Sequence, residues 1–412
     1  MCESGPRESQ DLSLQRILDD VIDEVPVSFA ERKVLRQLIA CGTGERGHHY
    51  LVCEHCGAME VVGRACKNRH CPNCNAARTA EWCAKREEEL LPVPYQRYEF
   101  GLPSALHRLA LQYKREMYGL LLKAAQDTVL ELAKAPESLG VAPAVLTTLH
   151  TANRTLGYFP HAHVEASAGG YDAEQDQWVP AREGALIAPL DQAHDLFRDK
   201  VLDTLDRWRR HGRFSDGDRP EIELLSDDHW TGWMAELRRK RWPVTGGEPF
   251  GGGIQYLRYL SRSVYRLPIS NRRLLSYRDG EVVFQYRDRE TLQSKTRRMN
   301  ATSFVQLLAM HILPPGLHQV RFSGLWASPS RAKLAKAQEA ARLAVGSFLQ
   351  EPPTLTRWIA PQHRCERCHQ GEMQLLFSTM PWGAVLGPAA RAQDEARGPP
   401  VVEILTATTR PA

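Results

Sequence analysis

Two groups of residues in this 412-residue chain have types and spacings that could do chemistry. The first is a pair of Cys-x2-Cys turns, Cys53 and Cys56 in "CEHC" and Cys71 and Cys74 in "CPNC", with fourteen residues between them. Each turn aims two sulfurs at one ion, and four thiolates give zinc a closed tetrahedral shell. Such a site is expected to fold a loop and not to catalyse. Two redox dithiols are the alternative, but nothing in the chain resembles a thioredoxin-like unit. Cys66 and His70 lie between the turns, and Cys365 and Cys368 form a third turn far along the chain. These four make a candidate second zinc site, with buried thiols and a surface histidine as the alternative reading.

The second group begins at "FPHAHVE". If this is a strand, side chains alternate, so His161 and His163 project from one face with Cα atoms roughly 6.5 to 7 Å apart, and both imidazoles reach one ion. Glu165 shares that face but lies roughly 13 Å from His161 along the strand. His150, at the end of the preceding strand, is the better third ligand if the intervening turn lays the two strands side by side. Such a site suits Mg, Mn or Zn, and geometry alone does not choose. An H-x-H pair is a weak motif taken alone, and a second feature adds to it. In "YLRYLSRSVYRLPISNRRLL" a helix would put Tyr259, Arg262 and Arg266 on one face, at i, i+3 and i+7. A phenol among guanidiniums is suited to attack on a phosphodiester, because the cations hold the phosphate and stabilise its developing charge. An aromatic core stripe with snorkelling arginines is the alternative.

The elements that must position these residues can be read from pattern. Length allows two or three domains with cores that need no cross-links. The polar start and paired cysteines point to reduced thiols and a cytoplasmic protein. No run approaches the roughly eighteen apolar residues of a membrane span. A net charge of +4 says little, but arginine is concentrated between Arg258 and Arg298. Leu14 to Val25 reads as an amphipathic helix behind Ser13, and 106–133 as helical. "APAVLTTLHT" and "FPHAHVEAS" read as two strands, the second closed by Gly169 and Gly170. Helices are expected over 190–210, 254–266 and 302–312, with a charged segment to Trp242 that carries no clear signal. Asp279-Gly280 predicts a type I′ hairpin, "HQVRFSG" a strand, and Ser328-Pro329 the start of a long helix ending near Leu349. The Pro, Ala and Gly-rich end after Pro381 reads as a flexible tail.

"CKNRHCPNCNAARTAEW" with "ELLPVPYQRYEFGLP", "FPHAHV" with its glycines, "YLRYLSRSVYRLPISNRRLLSY" and "HILPPGLHQVRFSGLWA" follow one another in an order that resembles the rolling-circle transposases of bacterial insertion sequences, the IS-ninety-one type of the HUH endonuclease class. The likeness runs from about Cys41 to Cys368. It implies an α+β fold in which an antiparallel-sheet HUH domain is preceded by a small zinc-binding domain. It also implies cleavage of one DNA strand through a 5′-phosphotyrosine, with a divalent metal, Mg or Mn, and no nucleotide cofactor. His161 and His163 match the metal ligands and Tyr259 the first tyrosine. Many relatives place a second tyrosine four residues later, where this chain has Ser263, so the chain works with one tyrosine, uses Tyr256 as the second, or is a decayed copy. Arg154 stands where relatives often carry glutamine, so His150 is preferred as the third ligand, ahead of Glu165. The DNA-contacting set is Arg258, Arg262, Arg266, Arg272 and Arg273. The expected domains are 1–100, 101–326, 327–380 and a tail 381–412. DNA is the expected partner, as single-stranded or hairpin element ends, with no membrane. A plasmid replication initiator or relaxase of the same class, and a zinc-dependent DNA-binding remnant without chemistry, are the rival functions.

Overall fold

The computed structural model describes residues 12–213, 226–246, 268–288, 290–345, 364–382 and 384–386. The chain opens on α1 (Leu14–Val21), where the Ser13 side chain accepts a hydrogen bond from the Arg16 amide as a helix cap should. Its apolar stripe of Leu14, Ile17, Leu18 and Val21 is buried, as the periodicity predicts. A capping box between Ser28 and Glu31 starts α2 (Phe29–Ile39). The β1–β2 hairpin follows (His48–Cys53 and Met59–Gly63), then α3 (Pro72–Glu87), whose N-cap is Cys71.

Next come β3 (Tyr95–Gly101), α4 (His107–Gln112), α5 (Lys114–Lys134), β4 (Pro143–Ala152), β5 (Tyr158–Asp172) and β6 (Gln177–Pro180). Then follow α6 (Leu190–Arg210), α7 (Asp227–Arg239) and β7 (Val244–Gly246). Strands β3, β4, β5 and β7 join one antiparallel sheet in the order β11-β4-β5-β3-β7, with β6 on β5 and with β11 spanning Val320–Gly324. Alternation gives this sheet two different faces. Tyr98, Phe100, Leu149, Ala162, Val164 and Ala166 are buried against α5 and α6, with the Phe100 and Phe197 rings 5.0 Å apart. Each large side chain buried this way is worth about 1.5 to 3 kcal/mol. A one-residue slip would turn all of them outward, so apolar packing fixes the register and with it the residues that face the other way.

The remaining elements are the β8–β9 hairpin (Leu274–Arg278 and Glu281–Arg287), β10 (Ser294–Asn300), α8 (Ala301–Met310), α9 (Arg331–Val345), β12 (Met373–Thr379) and β13 (Val385–Leu386). Asp279 and Gly280 both take positive φ, 50° and 73°, as a type I′ turn requires. Strands β8 to β10 form a three-stranded sheet that packs with α1, α2 and α8 around Val282, Phe284 and Phe304. Strand β12 pairs with β1 in a four-stranded sheet of order β13-β12-β1-β2.

Several expectations change. The charged segment before Trp242 holds α7, capped by Ser226 and burying Trp230, Met234 and Leu237 at helical spacing. Strand β5 continues through Gly169 to Asp172, because β6 pairs there. A Cβ on Gly169 would stand 2.7 Å from the Trp178 ring, so that glycine marks a close approach and not a strand end. The boundary drawn at residue 100 falls inside β3, which is hydrogen-bonded between β5 and β7. Likewise the 327–380 segment shares a sheet with β1 through β12, and its Cys368 lies 3.7 Å from Cys53, 315 residues away in sequence. The helix expected over 254–266 lies outside the described residues, as do the end of the helix placed near Leu349 and most of the tail.

Candidate active site and metal centres

The cysteines gather into two sets of four: Cys41, Cys66, Cys71 and Cys74, and Cys53, Cys56, Cys365 and Cys368. In the first, Sγ separations are 3.5 Å for Cys41 to Cys71, 3.6 Å for Cys41 to Cys74 and 3.7 Å for Cys66 to Cys74. In the second, Cys53 to Cys368 is 3.7 Å and Cys56 to Cys365 is 3.6 Å. A tetrahedron with zinc–sulfur bonds of about 2.3 Å has edges of about 3.8 Å, so both sets fit that ion. Backbone amides point at the sulfurs, from Cys56 to Cys53 and from Asn68 to Cys66 at 3.4 Å, which suits thiolate acceptors.

This partition corrects the expected one. Cys53 and Cys56 do not meet Cys71 and Cys74, and Cys66 and His70 do not meet Cys365 and Cys368. The β1–β2 hairpin is the reason. Cys41 and Cys66 flank its base, where the Gly42 amide donates to the Arg64 carbonyl, whereas Cys53 and Cys56 sit at its tip. Five residues of strand carry that tip about 17 Å away. His70 is engaged elsewhere: its Nε2 accepts the Leu313 amide at 3.0 Å, and burial pushes its pKa down to about 3.

On the polar face of the main sheet, His161 stands opposite Gly101 and His150, His163 opposite Glu99 and Thr148, and Glu165 opposite Arg97. The His161 Nδ1–H donates to the Phe159 carbonyl at 2.7 Å, so Nε2 keeps its lone pair, a common way to orient an imidazole ligand. A Cβ on Gly101 would meet the Phe159 ring at 2.8 Å; its absence lets that ring stack 4.9 Å from His161. His163 Nε2 and Glu99 Oε2 are 3.6 Å apart, near the separation of two donors bound at about 2.1 Å to one ion. Donor atoms of Glu99, His161 and His163 all lie within 4.8 Å of one another.

His150 takes a different position. Its ring stacks on His163 with centroids 4.3 Å apart and planes 20° from parallel, which turns ring faces and not lone pairs toward each other. Among the described residues its buried Nε2 has no hydrogen-bond partner, and it stays outside the converging set. Glu165 is fully buried and faces the Arg97 Nε at 3.5 Å. Burial pushes its pKa up to about 7 against the pull of Arg97. Glu99, and neither of the two residues expected, completes the group. Its signal was the alternation of Arg97 and Glu99 with buried Gln96, Tyr98 and Phe100, but only the long-range register of β3 on β5 puts it beside His163. Burial, with neighbouring imidazoles and Arg97, holds His163 well below its ordinary pKa, and burial takes His150 to about 3. Both rings are neutral at physiological pH, the form that binds metal.

Tyr256, Arg258, Tyr259, Arg262, Ser263 and Arg266 lie outside the described residues. The described chain breaks off at Gly246, one residue past Thr245, which is paired with Glu99, and resumes at Pro268. Arg272 is exposed. Arg273 is not: it bonds the carbonyls of Pro268, Gln285 and Arg154 and lies 5.7 Å over the Phe284 ring. It braces the hairpin, which corrects its assignment as a DNA contact.

A family model described as "Putative transposase" matches residues 144–333, and one described as "Transposase zinc-binding domain" matches residues 13–102. The Sinorhizobium fredii protein "Putative transposase y4qJ" is 30% identical over 367 residues, covering 84% of this chain and 89% of its own. The chain belongs to the IS91-type transposase family. The transposase for insertion sequence element IS801 of Pseudomonas savastanoi pv. phaseolicola is 25% identical to it over 348 residues, covering 83% and 80% of the two chains. No solved structure matches this IS91-type transposase. The zinc-binding match takes in one complete sulfur cluster and Glu99, whereas Cys365 and Cys368 lie beyond both matched stretches. Among the described residues of the transposase, no helix is long and apolar enough to cross a membrane.

Proposed function

We propose that this transposase cuts and rejoins single DNA strands by tyrosine attack, in rolling-circle transposition. The observation that carries the reading is the convergence of Glu99, His161 and His163 on one sheet face, in a chain of this family. Glu99, His161 and His163 would hold Mg or Mn, and that ion would supply polarisation of the scissile phosphate. The Tyr259 hydroxyl oxygen forms a bond to phosphorus, the bond to the 3′ oxygen breaks, and the strand is left with a 5′-phosphotyrosine and a free 3′-hydroxyl. Tyrosine is a weak nucleophile at its ordinary pKa; its proton is lost as the bond to phosphorus forms, and the leaving 3′ oxygen gains one. Arg97, held from behind by buried Glu165, lies on the same face and would steady the phosphate, with Arg262 and Arg266 on the tyrosine side. Zinc in both sulfur clusters would be structural.

The reaction distinguishes itself from DNA binding without chemistry, the reading that Ser263 favours. Parent protein, incubated with a labelled single-stranded element end and Mn²⁺, is expected to give a labelled adduct that survives denaturation. Tyr259→Phe is expected to give none. An adduct of undiminished yield from Tyr259→Phe would remove that residue as the nucleophile, and Tyr256→Phe would then be the variant that loses it.

A further inference from the structure

The three-stranded sheet has one face in a core and one in solvent, and the solvent face is not a neutral polar surface. Rows of cross-strand neighbours on that face run Arg278, Glu281, Asn300, then Ser276, Val283, Arg298, then Gln285, Thr296, and finally Arg287, Ser294. Arg278, Arg287, Ser294, Thr296, Arg298 and Asn300 are exposed. Among the described residues of these rows stand three guanidiniums and one carboxylate, that of Glu281, which Arg298 pairs at 3.1 Å, while the Arg287 Nε–H donates to the Leu292 carbonyl at 3.0 Å. Exposed pairs of this kind are worth little and exchange readily for another anion. The nearby Asp288 is already engaged by Lys295 at 3.0 Å and by the amide of Thr291.

We infer that this face docks on double-stranded DNA, separate from the site that handles the cleaved strand. Three strands span about 10 Å between the outer backbones, and the seven residues of β9 reach about 20 Å, dimensions that a major groove about 12 Å wide can accept. The arginines stand at both ends of the sheet, placed for phosphates on either side, and Gln285, Thr296, Ser276 and Asn300 between them offer donors and acceptors. Aromatic residues decide between duplex and single strand. Stacking platforms for unpaired bases need exposed rings. Here Tyr277, Phe284 and Tyr286 occupy the opposite face, in register with Val282, Arg297 and Lys295. The back of the sheet is locked to α1 and α8 through Leu274, Val282 and Phe304, so the face is rigid before DNA arrives.

The inference rests on the reading that the protein acts on DNA, and its test is separable from that of tyrosine chemistry. The full-length, zinc-loaded chain is titrated with a 25-base-pair duplex of arbitrary sequence and with a single strand of the same length, over a range of salt concentrations, by fluorescence anisotropy. Arg278→Gln, Arg287→Gln and Arg298→Gln combined are expected to reduce the slope of log affinity against log salt for the duplex by about 2 to 3. The single-strand slope and the tyrosine adduct on a single strand are expected to stay at parental values. The corresponding triple lysine variant, which keeps the charge, is expected to retain most of the slope. An unchanged duplex slope overturns the inference, and so does an equal loss on the single strand. Circular dichroism melting confirms that each variant is folded.

Discussion

In the Cys41 cluster four sulfurs close around one centre at 3.5 to 3.7 Å, whereas on the β5 face two imidazoles and one carboxylate approach from one side only. Four donors leave an ion no open position, and three on one sheet face leave it several. The backbone differs in the same sense. Sulfur ligands come from a loop, a helix cap and a hairpin tip, segments outside the main sheet. His161 and His163 come from the centre of a sheet whose other face is already buried, so the fold itself sets their geometry. A closed site makes structure from metal, and an open one makes chemistry from structure.

The largest effect should separate the closed sites from the fold at large. Structural zinc contributes about 10 to 16 kcal/mol, as much as the whole stability of a typical domain, about 5 to 15 kcal/mol. Cys71→Ser is therefore expected to lose one zinc by metal analysis and most of the cooperative unfolding of the α1–α2 core. Cys368→Ser is expected to lose the other zinc and hydrogen-exchange protection only in β12 and the β1–β2 hairpin, with β4 and β5 unchanged. Equal damage from the two variants would break the distinction drawn between a cluster in a core and one at a hairpin tip.

Next in size, His161→Ala and Glu99→Gln are expected to lower the rate of adduct formation about 10²- to 10³-fold, the scale of several kcal/mol of transition-state stabilisation. Their melting temperatures and zinc content should remain close to the parent's. If Glu99→Gln reacts at the parental rate while His150→Ala does not, the third donor is His150 after all.

The smallest effect concerns acid. His311, buried with Nδ1 near the Thr151 hydroxyl and its Nε2–H on the Leu156 carbonyl, has its pKa pushed down to about 4, mainly by burial. A neutral histidine of this kind takes no proton in the fold while the unfolded chain does. Its share of stability is complete above pH 6.5 and lost as pH falls toward 4, by at most about 1.4 kcal/mol per pH unit. Denaturation midpoints should follow that window at constant zinc content, and His311→Gln should make the fall shallower, leaving the share of His70 and His150, which burial takes to about 3. A drop that tracks zinc release would instead assign the acid limb to the thiolates.

Much of this was legible from local pattern. The α1 stripe, the α6 span, the Asp279-Gly280 turn and the shared face of His161 and His163 depend on neighbours a few residues away, and each is found where period and turn chemistry put it. What was not legible depends on register between distant segments. Glu99 meets His163 only through the pairing of β3 with β5, and Cys53 meets Cys368 only because β12 lies on β1. Spacing of fourteen residues between two cysteine turns could not reveal that a hairpin holds one of them at arm's length. Tryptophans 230 and 233 in a charged stretch hid α7, although Ser226 and two aspartates announced its start.

The span between Cys56 and Cys365, 309 residues, also sets a clock. At about 5 to 20 residues per second, synthesis leaves Cys53 and Cys56 waiting for roughly 15 to 60 seconds after they leave the ribosome. The cluster of Cys41, Cys66, Cys71 and Cys74 has all its ligands almost at once. A nascent chain can therefore close its first sulfur cluster early and its second only after Cys368 has been made, and a polypeptide interrupted before Cys365 carries Cys53 and Cys56 without their partners.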